Sequence, residues 1–153
     1  FPIFVDLGLL DSDARTAGGG HPVRSLFDAL GHEGIQAIPV TAADRDAAYD
    51  NAVREVTRSQ RRGVAIRLSA DDLGIDDDVD HAGEIREIIG TDLDETDLIF
   101  DFRSIQPDQV GLISRLARQA VVSTRHLSGR RYSRGSCAAC GAAASFRRWP
   151  GGH

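Results

Sequence analysis

The sequence has no methionine and no lysine, and it holds only two cysteines. Cys137 and Cys140 are too few and too close together for the disulfide framework of a secreted domain. No run approaches the roughly 18 apolar residues of a membrane-spanning helix, and no basic segment precedes an apolar stretch as in a secretory signal. These absences predict a cytoplasmic protein that does not enter a membrane. Because the chain opens on Phe1 without a methionine, we expect its natural start to lie upstream.

Charge is divided unevenly along the chain. Residues 1–120 carry all 23 acidic residues and 12 of the 18 arginines, a net charge of −11, whereas residues 121–153 hold six arginines and no acid. An acidic body repels a phosphate backbone, so nucleic-acid binding is disfavoured except through the tail. The tail also lacks hydrophobic periodicity. We therefore predict a folded domain over residues 1–120 and a disordered or non-native basic tail over residues 121–153.

Four short runs rich in β-branched and aromatic residues predict strands, and they lie at residues 2–10, 36–40, 63–68 and 97–102. Segments with helical spacing follow these runs. One helix opens at His21-Pro22, Asp44 can cap the second, the third lies near residues 82–89, and the fourth follows Pro107. The spacing is that of parallel β-α-β crossovers, so the sequence predicts an α/β fold of about four β-α units.

The alternation of apolar and polar residues along the predicted strands distinguishes a closed barrel from an open doubly wound sheet. The face predicted to lie under the helices consists of Ile3, Val5, Ile38, Val40, Val64, Ile66, Leu68, Leu98, Phe100 and Phe102. The opposite face consists of Phe4, Asp6, Ala37, Pro39, Thr41, Ala65, Arg67, Ile99, Asp101 and Arg103. An open sheet covered by helices on both sides should be apolar on both faces, so the mixed face favours a barrel lumen. We predict a partial parallel (β/α) barrel, whose other half is absent or supplied by a second copy, followed by an irregular basic tail.

Four short segments of the sequence resemble those of a known protein family. They are Phe1-Pro-Ile-Phe-Val-Asp6, Ala37-Ile-Pro-Val-Thr41, Gly63-Val-Ala-Ile-Arg-Leu68 and Asp97-Leu-Ile-Phe-Asp-Phe102. Their order and spacing, with His21-Pro22 and Arg45-Asp-Ala-Ala-Tyr49 between them, resemble the phage "beta protein" family of phages and many bacteria. The resemblance covers about residues 1–120 and implies a barrel-like fold with further strands on both sides. It implies no established activity.

Polar residues of the mixed face collect at the carboxyl ends of the predicted strands, where barrel enzymes hold their reactive groups. Asp6, Arg67 and Asp101 are the candidate catalytic residues, and Arg103 is a candidate ligand-binding residue. The two carboxylates could act as an acid/base pair or hold a divalent cation, while the arginines bind a phosphate or carboxylate. The alternative is a lumenal ion pair between Arg67 and Asp101 that needs no ligand.

Thr41 and His21 are further candidate ligand-binding residues. Thr41 lies on the mixed face near the end of its strand, and His21 follows three glycines and precedes a helix. A helix N-terminus favours anions, but a flexible loop with a capping histidine is the favoured interpretation of His21. No metal site and no cofactor is predicted. The acidic loop over residues 71–80 is interpreted as solvated, and one Cys-x-x-Cys pair lacks the partner ligands that zinc needs.

Two functions from different classes remain open. One is a noncatalytic binding protein in a phage or phage-defence context, acting through a protein partner. The other is a barrel hydrolase that acts on a small anionic substrate, a phosphate or carboxylate, through Asp6, Arg67 and Asp101. The binding protein is favoured because half a barrel seldom completes an active site.

Overall fold

A computed structural model describes residues 1–73 and 80–131 of the chain. Strands and helices alternate along these residues as β1 (Ile3–Val5), α1 (Pro22–His32), β2 (Ala37–Ala42), α2 (Ala47–Gln60), β3 (Val64–Ser69), α3 (His81–Ile89), β4 (Thr96–Asp101) and α4 (Val110–Arg131). The predicted α/β class and the four β-α units are confirmed. Within the described part of the chain, no helix is both long enough and apolar enough to cross a membrane.

The four strands form one parallel sheet in the order β1-β2-β3-β4. An open doubly wound sheet reverses its strand order at a switch point, whereas strands of a barrel follow one another in sequence. The sheet is curled like half of a barrel, and the described residues do not close it. Because the strands are parallel, all their carboxyl ends lie along one side of the sheet. We call this side the carboxyl-end edge, and the loops to α1, α2 and α3 begin there.

Side-chain caps fix where the helices start. The Asp46 carboxylate accepts hydrogen bonds from the backbone N–H groups of Ala48 and Tyr49 at 2.7 and 2.9 Å. Asp46, and not the predicted Asp44, therefore caps α2. The hydrogen bond from Tyr49 is the largest influence that lowers the pKa of Asp46. At the other end, Arg61 adopts a left-handed conformation with φ of 51°, which ends the helix.

The main core lies between the sheet and the helices. Phe27 of α1, Val53 of α2, Ile66 of β3 and Ile89 of α3 are at most 1% exposed and belong to one cluster. The members of this cluster on α1, α2 and α3 fall at helical spacing and form the buried faces of these helices. Val5, Leu98 and Phe100 pack against the same cluster, as predicted for β1 and β4.

The predicted assignment of faces is wrong for β2. Ile38 and Val40 form a second cluster with Ala65, packed against Ile99, away from the main core. Ala37 instead joins the main core under the helices. All six residues of β2 are buried, so alternation between apolar and polar residues could not reveal which side faced the helices.

The helix α4 continues past residue 120 to Arg131 and so enters the segment predicted as an irregular tail. Cys137 and Cys140 lie outside the described residues, as do residues 74–79 of the acidic loop. The predicted domain boundary at residue 120 stays a prediction.

Replacing Ile66 with Val should lower the free energy of unfolding by about 0.5–1.5 kcal/mol, because a methyl group is lost from a fully packed site. Ile66 is 0% exposed, whereas Ile35, the matched control, is 39% exposed. Urea denaturation followed by circular dichroism should show a lower midpoint for Ile66→Val and little change for Ile35→Val. Equal effects at the two positions would contradict the buried placement of β3.

Candidate functional site

Asp6 follows β1 at the carboxyl-end edge, and its carboxylate lies between two guanidinium groups. Asp6 Oδ2 is 2.9 Å from Arg67 Nη1, and Asp6 Oδ1 accepts a hydrogen bond from Arg45 Nη2 at 3.3 Å. Asp6 Oδ1 also accepts the backbone N–H of Gly8 at 2.8 Å. Both oxygens of the carboxylate therefore have partners, which hold the side chain in one orientation.

Arg67 connects three strands of the sheet. It extends from β3, and the same Nη1 atom that contacts Asp6 lies 3.9 Å from Asp101 Oδ2 on the neighbouring β4. The side chain of Arg67 is 34% exposed. The structure thus brings the three predicted catalytic residues together, and their catalytic role stays a prediction.

Arg45 is the member of this cluster that the sequence analysis missed. Its side chain is only 7% exposed, with Nη1 3.1 Å from Asp44 Oδ1 and Nη2 in contact with Asp6. The backbone of Gly8 packs directly on the guanidinium, so a Cβ at this position would clash with it. Arg45 lies in the loop after β2, and this position predicts a side chain at the carboxyl-end edge.

Tyr49 ties the ends of two strands to α2 beneath the cluster. Its hydroxyl donates to the Val40 carbonyl at 2.9 Å and accepts from the Leu7 N–H at 3.3 Å. The Arg45 guanidinium carbon lies 5.4 Å from the centre of its ring, within cation–π range. Burial raises the pKa of Tyr49, so the phenol stays protonated and keeps its donor.

His21 caps α1, which is one of the two roles that the sequence predicted for it. Its Nδ1 accepts the backbone N–H of Val23 at 3.3 Å at the start of α1. The imidazole meets the Tyr49 ring edge to face, with 5.8 Å between the ring centres. Burial, aided by Arg15, lowers the pKa of His21, which favours the neutral ring that this hydrogen bond requires. A ligand-binding role for His21 stays a prediction.

Thr41 and Arg103 are not part of the cluster. Thr41 is 0% exposed and donates its hydroxyl to Asp50 Oδ1 of α2 at 2.9 Å, so its predicted position on the mixed face is wrong. Arg103 is exposed and has a left-handed φ of 53°. Its backbone N–H donates to Asp101 Oδ1 at 2.9 Å and thereby holds the carboxylate of Asp101.

A second polar turn, also missed from the sequence, closes the end of β3. Asp72 Oδ2 accepts both the backbone N–H of Ser69 at 2.7 Å and its hydroxyl at 2.6 Å. These bonds satisfy the turn locally. Among residues 1–73 and 80–131, no group of three histidine, cysteine or acidic side chains is placed to hold a metal ion.

Comparison with known proteins gives one family match, which covers most of the chain. A protein-family model described as "Beta protein" matches residues 1–137. The match includes every residue of the cluster at the carboxyl-end edge. No curated protein and no solved structure matches the chain.

Substituting Asp6 with Asn should lower the free energy of unfolding by about 1–3 kcal/mol, because the buried Arg45 guanidinium then loses the less exposed of its two carboxylate partners and keeps only Asp44, which is 70% exposed. Asp101→Asn is the matched control. Asp101 lies 3.9 Å from Arg67 and is 37% exposed, so its loss should cost about 0–1 kcal/mol. Both asparagines keep an oxygen for the local backbone hydrogen bond. Urea denaturation that ranks Asp101→Asn as the more damaging change would contradict this account.

Asp50 should make folding stability depend on pH. Burial raises its pKa above the ordinary value of 3.8, and the hydrogen bond from Thr41 opposes that rise. The folded state then binds the Asp50 proton more tightly than the unfolded state does. The contribution of Asp50 to stability is therefore greatest below its pKa in the unfolded chain, and it is lost as pH rises through its pKa in the folded chain. Asp50→Asn keeps the acceptor for Thr41 and removes the charge. The stability advantage of Asp50→Asn over the wild type, measured by denaturation across the acidic range, should grow with pH; a constant difference would contradict the prediction.

Proposed function

The chain belongs to the Beta protein family, and we propose that it is a noncatalytic binding protein whose carboxyl-end cluster holds an anionic group, a phosphate or a carboxylate. The observation that carries the proposal is Arg67. Its Nη1 atom lies 2.9 Å from Asp6 Oδ2 and 3.9 Å from Asp101 Oδ2, and the side chain is 34% exposed. An arginine has five N–H donors in a planar fork, and one that reaches solvent is the usual recognition element for planar anions.

The contacts of Asp6 favour binding over hydrolysis. A general base must come within hydrogen-bond distance of the proton that it removes. Asp6 Oδ1 already accepts from Gly8 and Arg45, and Asp6 Oδ2 lies against Arg67. These contacts support a role for Asp6 in positioning Arg67.

A hydrolase acting on a small anionic substrate is the second candidate, and Asp101 is the residue that favours it. Asp101 Oδ2 lies 3.9 Å from Arg67, a looser contact than the one that Arg67 makes with Asp6. The Arg103 N–H holds Asp101 Oδ1, and Oδ2 would then lie next to a substrate bound to Arg67. Turnover of a phosphate ester that Asp101→Asn abolishes would select this candidate.

The cellular setting belongs to the same proposal. An acidic body with a net charge of −11 over residues 1–120 suits a cytoplasmic protein that avoids nucleic acid. We place the binding activity in a phage or phage-defence context, with the anionic group carried by a small ligand or by a protein partner.

Inorganic phosphate is the first probe of this site. Phosphate added to the full chain at constant ionic strength should raise the unfolding temperature, since a ligand at about 100 times its Kd stabilises by about 2.7 kcal/mol. Arg67→Gln should abolish the rise. Arg24→Gln is the matched control, because Arg24 lies on α1 with its side chain 61% exposed and pairs with Glu55 at 2.6 Å.

Sulfate and acetate, titrated in parallel, distinguish recognition of an oxyanion geometry from a general salt effect. An equal response of the wild type and Arg67→Gln would contradict the proposal. So would a response that Arg24→Gln removes and Arg67→Gln leaves intact.

A further inference from the structure

Asp6, Gly8 and Arg45 form a closed ring of hydrogen bonds within the carboxyl-end cluster. Asp6 Oδ1 accepts the backbone N–H of Gly8 at 2.8 Å and Arg45 Nη2 at 3.3 Å. Arg45 Nη1 in turn donates to the Gly8 carbonyl oxygen at 3.5 Å, which closes the ring. Two of the three contacts end on the same carboxylate oxygen, so the ring fixes the position of Asp6 Oδ1.

The ring also determines where the second oxygen of Asp6 lies. The two oxygens of a carboxylate are held in one plane at a fixed separation, so two donors on Oδ1 leave Oδ2 little freedom. Asp6 Oδ2 is the atom that lies 2.9 Å from Arg67 Nη1. Arg45 can therefore act on the guanidinium of Arg67 through the carboxylate of Asp6.

Arg45 is enclosed, whereas Arg67 reaches solvent. The side chain of Arg45 is 7% exposed, against 34% for Arg67. The centre of the Tyr49 ring lies 5.4 Å from the Arg45 guanidinium carbon, and Asp44 Oδ1 lies 3.1 Å from Arg45 Nη1. An anion arriving from solvent would have to displace these neighbours before it touched Arg45. This burial suits a residue that orients Asp6 and leaves contact with the anion to Arg67.

Space, and not backbone conformation, requires the glycine at position 8. Gly19 in the same loop has a left-handed φ of 78°, whereas the φ of Gly8 lies outside the left-handed region. A Cβ at Gly8 would nevertheless overlap the Nη2, Cζ and Nη1 atoms of Arg45. An alanine would thus suit the backbone here but displace the guanidinium. Gly8 therefore belongs to the structure that holds Arg45 in place.

We propose that Arg45, packed against Gly8, is the positioning residue of the anion site: it fixes the carboxylate of Asp6, which in turn orients the guanidinium of Arg67. The link to anion binding rests on the proposed function, whereas the orientation of Arg67 by Arg45 does not. A substitution that moves Arg45 alone should therefore alter Arg67 even when no ligand is present.

Gly8→Ala tests the proposal because it displaces the Arg45 guanidinium and keeps every charged group of the chain. Gly18→Ala is the matched control, since Gly18 lies in the same loop before α1 and no atom lies within 4 Å of a Cβ built there. Calorimetric titration of the full chain with inorganic phosphate at constant ionic strength should show a Kd raised by about tenfold in Gly8→Ala and unchanged in Gly18→Ala.

A double-mutant cycle shows whether Gly8 acts through Arg45. Arg45→Gln alone should also raise the Kd for phosphate. Adding Gly8→Ala to Arg45→Gln should cause no further loss, because glutamine lacks the three atoms that the alanine methyl group would meet. An equal further loss in the Arg45→Gln background overturns the proposal.

The ¹⁵N NMR signal of the Arg67 guanidinium separates positioning from anion binding, because it is measured without phosphate. This signal, assigned by its loss in Arg67→Gln, should shift in Gly8→Ala and stay in place in Gly18→Ala. A shifted signal in a chain that does not bind phosphate supports the positioning role and contradicts only the anion site. An unmoved signal in a folded Gly8→Ala chain overturns the positioning role.

Arg45→Lys is the second variant, used if circular dichroism shows that Gly8→Ala is unfolded. Lysine keeps the positive charge but has one terminal nitrogen, so it cannot contact Asp6 Oδ1 and the Gly8 carbonyl in the way that the two Nη atoms of arginine do. The Arg67 signal should therefore shift in Arg45→Lys as well. A signal that does not move in this variant overturns the proposal.

Discussion

The carboxylate of Asp6 is the contact on which the carboxyl-end face depends. It receives one arginine from β3 and another from the loop after β2, so a single side chain next to β1 connects three consecutive β-α units. Arg45 is almost completely buried, and a buried guanidinium without a counter-ion is strongly unfavourable. The same burial explains Gly8, because any side chain there would occupy the space of the Arg45 guanidinium. One ion cluster therefore links the backbone at Gly8, the loop after β2 and the strand β3.

The electrostatics of the cluster set the kind of ligand that it suits. Asp44 and Asp101 are 70% and 37% exposed, so water and salt screen their charges more than that of Asp6. At the proposed anion site, an incoming anion would compete for Arg67 with the 3.9 Å contact to Asp101 more readily than with the 2.9 Å contact to Asp6. Recognition at such a site is directional but modest in strength, and it weakens as ionic strength rises. A small oxyanion meets these conditions better than a long polyanion, which the acidic body repels.

The sequence predicted the parts of this structure that depend on periodicity or on position in a β-α unit. Helical spacing located the buried faces of α1 and α2, and strand position brought Asp6, Arg67 and Asp101 to one edge. It could not show which residues of β2 face the helices, because residues on both sides are apolar or small and all are buried. For this reason Thr41 was predicted on the wrong face. It also could not choose between Asp44 and Asp46 as the cap of α2, since both are aspartates in one short loop. Arg45 was missed because no pattern within a loop indicates that an exposed-type residue will be buried by its neighbours.

Among the described residues, β1 is the outermost strand of the sheet on its side, and it is also the strand that leads to Asp6. It is only three residues long, and a strand of that length contributes few ladder hydrogen bonds of its own. Its carboxyl end is held instead by the two arginines on Asp6 and by the Tyr49 hydroxyl on the Leu7 N–H. The contacts that orient Asp6 therefore also hold the carboxyl end of β1, so the position of this short strand and the geometry of Arg67 depend on the same ion pairs.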